Sequence, residues 1–156
     1  MRLWRIAAET RTYTAADISG AGAAKRPGRW NDHGVPAVYC ATTIAMAVLE
    51  TIANVDDAEL PLNRYLVAID VPEAVWARRE TLVAAQLRPG WDAIPAGSVS
   101  VKAGADWLLA LRAPILIVPS VIVPEESNAL INPRHRDAAR ISARVMRRFE
   151  YNRVLR

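Results

Sequence analysis

Short apolar runs, punctuated by turn signals, divide the chain into recognisable elements. Leu3-Trp4-Arg5-Ile6-Ala7 is apolar at all but one position and predicts a first strand. From about Glu9 to Asn31 the sequence is rich in Gly, Thr, Ser and charge, which predicts a long loop; loops of that length in a small domain are uncommon and often functional. After Pro36, Ala37 to Ala41 predicts a second strand. Thr42 and Thr43 suit a helix N-cap, and Ala45, Val48, Leu49, Ile52 and Ala53 then follow the spacing of one buried helical stripe. That helix is expected to end near Asn54, before the acidic turn Asp56-Asp57-Ala58-Glu59. Arg64 to Val71 predicts a strand stopped by Pro72.

The second half carries weaker signals. Between Glu73 and Gly104 only turns stand out, at Pro89-Gly90 and Pro95-Ala96-Gly97. Ala105 to Arg112 predicts part of a helix, with Trp107, Leu108 and Leu111 on one side, and Ile115 to Val123 one or two buried strands. The C-terminal segment admits two periods. Arg140, Arg144 and Arg148 are spaced like one helical face, but Ile141, Ala143, Val145, Phe149 and Tyr151 alternate with polar residues. Period two accounts for more positions and predicts a strand with a basic outer face. Together these elements predict an α+β fold, a single domain over residues 1–156 with mixed or antiparallel strands and packed helices.

Composition narrows the setting. The chain is 52% hydrophobic and 23% charged, ordinary values for a globular protein. Cys40, alone of its kind and set in an apolar run, excludes an internal disulfide and reads as a buried, inert thiol, consistent with a reducing compartment. No stretch approaches the ~20 apolar residues of a membrane helix, and Arg2, Arg5 and Glu9 interrupt any signal-peptide core. The expectation is a cytoplasmic protein without a membrane role. The net charge of +4 is unevenly placed: residues 134–156 hold eight arginines against Asp137 and Glu150. Such a segment serves as a solvated face or as a patch for phosphates or an acidic partner.

Three polar residues sit where their context makes them costly. Glu50 is the only charged residue between Val35 and Val55; on the helix it is expected beside the row of Met46 and Asn54, flanking the buried stripe. A carboxylate next to a core needs partners, and such groups are enriched at active sites, although a solvent-side Glu is the simpler reading of position alone. Ser120 is the only polar side chain from Ala113 to Pro124, so its hydroxyl either bonds local backbone or points into a pocket. Arg29, in Gly28-Arg29-Trp30-Asn31, closes the long loop; it is a surface arginine or a bidentate clamp for a diphosphate.

Other chemistries fit less well. With His33 and His135 as the only histidines, no spacing resembles a zinc site, and no metal is expected. Ser120, His135 and Asp137 could be written as a hydrolase triad, but Ser120 lacks the Gly-x-Ser-x-Gly elbow. Gly20-Ala21-Gly22 begins like a dinucleotide fingerprint, but Lys25 stands where the third glycine belongs. The basic C-terminal segment lacks the paired aromatic platform of common RNA-binding modules, so a non-enzymatic nucleic-acid or partner-binding module is the alternative of a different class.

The chain resembles RES-domain proteins, the toxin half of RES–Xre toxin–antitoxin pairs. The matching stretches are Leu3-Trp4-Arg5, Gly28-Arg29-Trp30-Asn31, Ala37-Val38-Tyr39 followed by Leu49-Glu50, Val118-Pro119-Ser120, Val123-Pro124-Glu125-Glu126, and Asn128 through His135. They occur in family order across nearly the whole chain. The family's Arg, Glu and Ser fall on Arg29, Glu50 and Ser120, its pocket tyrosine on Tyr39, and a further arginine on Arg5. Arg136 departs from the proline common in relatives, and the 140–148 segment is richer in arginine than usual.

The resemblance implies a fold related to ADP-ribosyltransferases, NAD bound as substrate rather than as a cofactor, and cleavage of its nicotinamide–ribose bond. It also implies an Xre-family antitoxin covering the active site, with nucleic acid reached only through that antitoxin. Glu50 would stabilise the oxocarbenium-like ribose, Arg29 and Arg5 would hold the diphosphate, Tyr39 and Trp30 would stack on a flat ring, Ser120 would orient Glu50 or a ribose hydroxyl, and Asn128 would be a further residue of the pocket. Water as acceptor makes an NAD glycohydrolase, the leading expectation. Phosphate makes an NAD phosphorylase, and a protein side chain a mono-ADP-ribosyltransferase in the same cleft.

Overall fold

The computed structural model describes residues 1–54 and 61–151; the expected acidic turn at 56–59 lies outside them. One mixed sheet organises the chain. Its strands are β1 (Arg2–Ala8), β2 (Val38–Ala41), β3 (Arg64–Asp70), β4 (Glu80–Thr81), β5 (Ile115–Pro119), β6 (Ser127–Ile131) and β7 (Ser142–Phe149), arranged β4-β5-β6-β2-β1-β3-β7. Among the described residues, only the β4–β5 pair is parallel; the other neighbours are antiparallel. With α1 (Ala21–Lys25), α2 (Ile44–Ile52), α3 (Glu73–Trp76) and α4 (Ser98–Ala110), this is the α+β single domain expected. Among the described residues, no helix is long and apolar enough to cross a membrane.

Strand alternation sorts the sheet into two faces. On one face Leu3, Ala7, Val38, Cys40, Val67, Ile69, Ile115, Ile117, Ala129 and Ile131 form a continuous core under the loop that carries Ala15 and Ile18. On the other face Leu116, Val118 and Leu130 pack against Trp107 and Leu108 of α4. Farther along that second face, Met46 and Ala47 of α2 cover Ala41, Trp4 and Ile6. Both long helices thus lie on one side of the sheet, and β2, between β6 and β1, is its central strand.

Several elements depart from the sequence reading. The helix after Thr43 is present, and the Thr43 side chain accepts the Met46 N–H at 3.1 Å as an N-cap. Its buried face, however, is rotated from the expected stripe: Met46 and Ala47 are buried, whereas Leu49 is 42% exposed and Ala45 and Ala53 lie in solvent. The helix is apolar almost all round, so more than one stripe satisfied the periodicity; burial is decided by where the short strand β2 aims the chain. The consequence is chemical: Glu50, one turn after Met46, lies on the face turned to the sheet. Strand β6 was missed because it opens on two polar residues, Ser127 and Asn128. Helix α4 begins at Ser98 rather than near Ala105, its first half carrying Ser, Val and Gly, which are weak helix formers.

Near the C-terminus the period-two reading gave the right element. Strand β7 pairs with β3 along its length, with a register shift between Leu66 and Val67, and forms an edge of the sheet.

Candidate active site

Three separate segments meet at the end of the second sheet face. Val118 of β5 pairs with Asn128 of β6, and Ala41 of β2 pairs with the same Asn128. By alternation, Ser120 and Asn128 point to the side that α2 covers, and Glu50 reaches down from α2 to meet them. Ser120 Oγ donates to Glu50 Oε1 at 2.8 Å, and Asn128 Nδ2 donates to the same oxygen at 2.6 Å. The serine is itself fixed, because its Oγ accepts the backbone N–H groups of Ile122 and Val123, each at 3.1 Å. One carboxylate oxygen therefore has two donors, one of which is anchored to a backbone turn.

Charge-assisted bonds of this kind are short and strong and hold the carboxylate in one orientation. Ser120 is 1% exposed, so this is a dry base beneath a half-buried Glu50. Among the described residues, Asn128 Oδ1 is buried without a hydrogen-bond partner. Such an orphan acceptor carries a desolvation cost of about 1–3 kcal/mol, which a ligand donor would relieve.

A second group lies farther along the same face. Tyr39 sits two residues before Ala41 on β2, roughly 7 Å along the strand at ~3.3 Å per residue, and pairs with Leu130. Its hydroxyl donates to Asn31 Oδ1 at 2.7 Å and accepts the Trp30 N–H at 2.9 Å. Burial pushes the Tyr39 phenol well above its ordinary pKa, against the smaller opposing pulls of its bond to the Trp30 backbone and of the Arg29 charge. Gly28 stands against this ring: a Cβ there would come within 2.7 Å of Tyr39 Cζ.

Asn31, which sequence reasoning left out, organises the loop. It is fully buried, donates to the carbonyls of Ala23 and Val35, and accepts the Gly28 N–H. In the sequence it stands at the end of the matching stretch Gly28-Arg29-Trp30-Asn31, with nothing to mark its amide as buried. The loop so built presents Arg29, whose Nη1 donates to the carbonyls of Trp91 and Ala93, both at 2.9 Å. The two N–H groups of Nη1 are thereby used, leaving the Nε and Nη2 edge, which is the edge suited to a bidentate oxyanion.

Two expected ligand contacts are corrected. Trp30 is 3% exposed, belongs to the core beside Trp107 and Leu108, and stacks on Trp91 with ring centres 6.1 Å apart. Its ring faces are taken up by packing and are not open to a substrate. Arg5 lies between Leu3 and Ala7 on β1, so alternation turns it to the sheet face opposite Glu50, where its Nη1 donates to the Asp17 carbonyl at 3.2 Å. There its positive charge pulls against the burial that drives the Cys40 thiol up to about 12, the mark of an inert buried cysteine.

The alternative Ser120–His135–Asp137 triad also fails on geometry. Ser120 follows β5, whereas His135 lies beyond the far end of β6, and the His135 ring accepts the Asp137 backbone N–H rather than facing its carboxylate. Among the described residues, no group of three His, Cys, Asp or Glu is placed to hold a metal ion.

Comparison with known proteins shows the family. The RES domain family matches residues 2–153. The chain is 52% identical over 149 residues to the "Prs ADP-ribosylating toxin" of Sphingobium sp. (strain YBL2), covering 96% of this chain and 92% of that protein. It is 38% identical over 140 residues to "Toxin Res" of Pseudomonas putida, covering 88% of each chain. It is 37% identical over 125 residues to "Toxin Res" of Photorhabdus laumondii, covering 80% of this chain and 78% of that one. With a match along almost its whole length and relatives so similar, the chain belongs to the RES domain family and is a RES-domain toxin.

Proposed function

We propose that the protein cleaves NAD at the nicotinamide–ribose bond and transfers ADP-ribose to a protein side chain. The observation that carries this reading is the Glu50 carboxylate, fixed through one oxygen by Ser120 and Asn128, beside the partnerless Asn128 Oδ1. As the bond breaks, its electron pair leaves with nicotinamide and positive charge develops on the ribose. The other Glu50 oxygen is held toward that charge, a preorganised electrostatic contribution of the kind that dominates many rate enhancements. Asn128 Oδ1 accepts a hydrogen bond from a ribose hydroxyl, which gives the orphaned acceptor its partner. The free edge of Arg29 grips the diphosphate. The incoming nucleophile bonds the anomeric carbon and loses its proton, so the products are nicotinamide, a proton and an ADP-ribosylated acceptor.

Water in place of the side chain makes the same cleft an NAD glycohydrolase, and phosphate makes it a phosphorylase. The name of the 52% identical relative favours a protein acceptor, with Prs the first candidate. Mass spectrometry of the products tests this. Purified protein is incubated with NAD alone, with NAD and phosphate, and with NAD and purified Prs. Nicotinamide together with Prs gaining one ADP-ribose supports the transferase reading. Free ADP-ribose at the same rate with and without Prs supports hydrolysis instead, and ADP-ribose 1-phosphate supports phosphorolysis. In the cell, an Xre-family antitoxin covering this cleft is the proposed neutralising partner.

A further inference from the structure

A cavity of about 340 Å³ opens on the opposite end of the β5–β6 pair from Glu50. Ser120 follows the last residue of β5, while Pro114, just before β5, accepts the Asn132 N–H at 2.9 Å. At ~3.3 Å per residue the two ends are roughly 20 Å apart, so the cavity lies outside the Glu50 cleft.

Its walls are Arg78, Leu111, Arg112, Arg134, His135 and Arg136. Some of this charge is already balanced. Arg78 pairs with Asp137, which also lies 3.9 Å from Arg136, and Arg112 pairs with Glu80 at 3.3 Å. Among the described residues, no carboxylate pairs with Arg134, and Arg136 has only that long contact with an acid already engaged. Two guanidinium groups therefore face one concavity without a full counter-charge.

Between them in sequence stands His135, which is 6% exposed. Its Nδ1 accepts the Asp137 N–H at 3.1 Å, so the neutral ring carries its proton on Nε2, the nitrogen left for a ligand. A nearly buried imidazole donor flanked by one guanidinium without a carboxylate among the described residues and one only distantly paired is a recognition set for oxyanions, because arginine forks match phosphate oxygens two at a time. A single phosphate satisfies one fork; a diphosphate satisfies both.

We propose that this cavity is a second anion site, built by Arg134, His135 and Arg136 to take a diphosphate group. The ligand is free pyrophosphate or the diphosphate end of a nucleotide. Isothermal titration of the full chain with pyrophosphate, with ADP and with sulfate tests it. Saturable binding of pyrophosphate, far tighter than of sulfate, is expected. ADP binding as tightly as pyrophosphate assigns the ligand as a nucleotide, and pyrophosphate binding alone assigns it as the free anion.

The double variant Arg134→Ala, Arg136→Ala removes exposed side chains, so its melting temperature should stay within a few degrees of the parent. Its Kd for pyrophosphate should rise at least tenfold while NAD turnover is retained. Absence of saturable binding of both pyrophosphate and ADP overturns the proposal. So does binding that survives in the double variant and vanishes in Arg29→Ala, since that outcome places the diphosphate in the Glu50 cleft.

Discussion

At the scale of single residues, the account turns on how Glu50 is held. Ser120 supplies one of the two bonds to its Oε1 and passes that constraint to the backbone through Ile122 and Val123. A hydrogen bond to a charged group contributes about 1.5–3 kcal/mol. Ser120→Ala should therefore lower NAD turnover about tenfold to a hundredfold while Asn128 keeps the carboxylate roughly in place; steady-state kinetics on the folded variant measures this, and unchanged turnover would remove Ser120 from the site. Asn31→Ala probes a different role. It leaves the Gly28 N–H and the Tyr39 hydroxyl without their acceptor, and unsatisfied buried groups cost about 1–3 kcal/mol each, so thermal melting should fall by several degrees. Glu50 and Ser120 stood out in the sequence because one is the only charged residue and the other the only polar residue of an apolar stretch, where desolvation demands a partner. Their mutual contact was offered only by likeness to relatives, as one of two roles for Ser120; the residues alone do not give it, since it depends on the register that sets Val118, Asn128 and Ala41 side by side. The assignments of Arg5 and Trp30 came from likeness to relatives, and strand alternation and burial moved both away from the cleft.

Between elements, the tightest fit is where α4 crosses the loop that holds Arg29. A Cβ on Gly104 would overlap the backbone carbonyl of Trp30. Backbone cannot yield as a flexible side chain does, so Gly104→Ala should destabilise the protein by about 3 kcal/mol, the upper end of ordinary overpacking. Chemical denaturation measures it, and a loss under ~0.5 kcal/mol would show that the helix and loop are less closely packed. That glycine could not be singled out from sequence, where it falls just before the helix expected from Ala105. The orientation of α2 was hidden for the opposite reason. Its apolar residues are so plentiful that periodicity offered a stripe through Leu49, whereas the sheet takes up Met46 and Ala47 and so turns Glu50 inward. Strand β7 was clearer because its alternation of apolar and basic residues spans many positions. Its arginines are exposed on an edge strand, with Arg144 held by Asp70 at 3.2 Å. If an acidic antitoxin docks there, Arg144→Glu with Arg148→Glu should sharply reduce capture of the co-expressed neighbouring gene product. Undiminished capture would place the docking face elsewhere.

For the whole molecule, stability should depend on acid in two separable windows. Burial lowers the His135 pKa below its ordinary 6.5, with Arg78 and Arg136 adding to the effect and Asp137 opposing it. The unfolded chain then takes up a proton at higher pH than the folded one does. Stability should be level above about pH 6.5, fall as pH drops below it, and level off under the folded value. Melting curves between pH 7 and 5 should show this decline, and His135→Asn should reduce it; an equal decline in that variant would assign the titration to another group. Asp70 acts in the same sense at lower pH, since its bond to Arg2, and then that to Arg144, lower its pKa below 3.8. The stability it adds is present above that value and is lost only in stronger acid. Strand order lay beyond the sequence because the crossovers that place β1 between β2 and β3 depend on long-range pairing, which local periodicity does not encode.

The most direct measurement is the release of nicotinamide from NAD by purified protein, compared with its Glu50→Gln variant. Glutamine keeps the shape and removes the charge. The parent should release nicotinamide, and the variant, folded by circular dichroism and melting at a similar temperature, should do so at least about 100-fold more slowly, as when one preorganised electrostatic group is lost from other enzymes. A folded Glu50→Gln protein that turns over NAD at the parental rate would contradict the account.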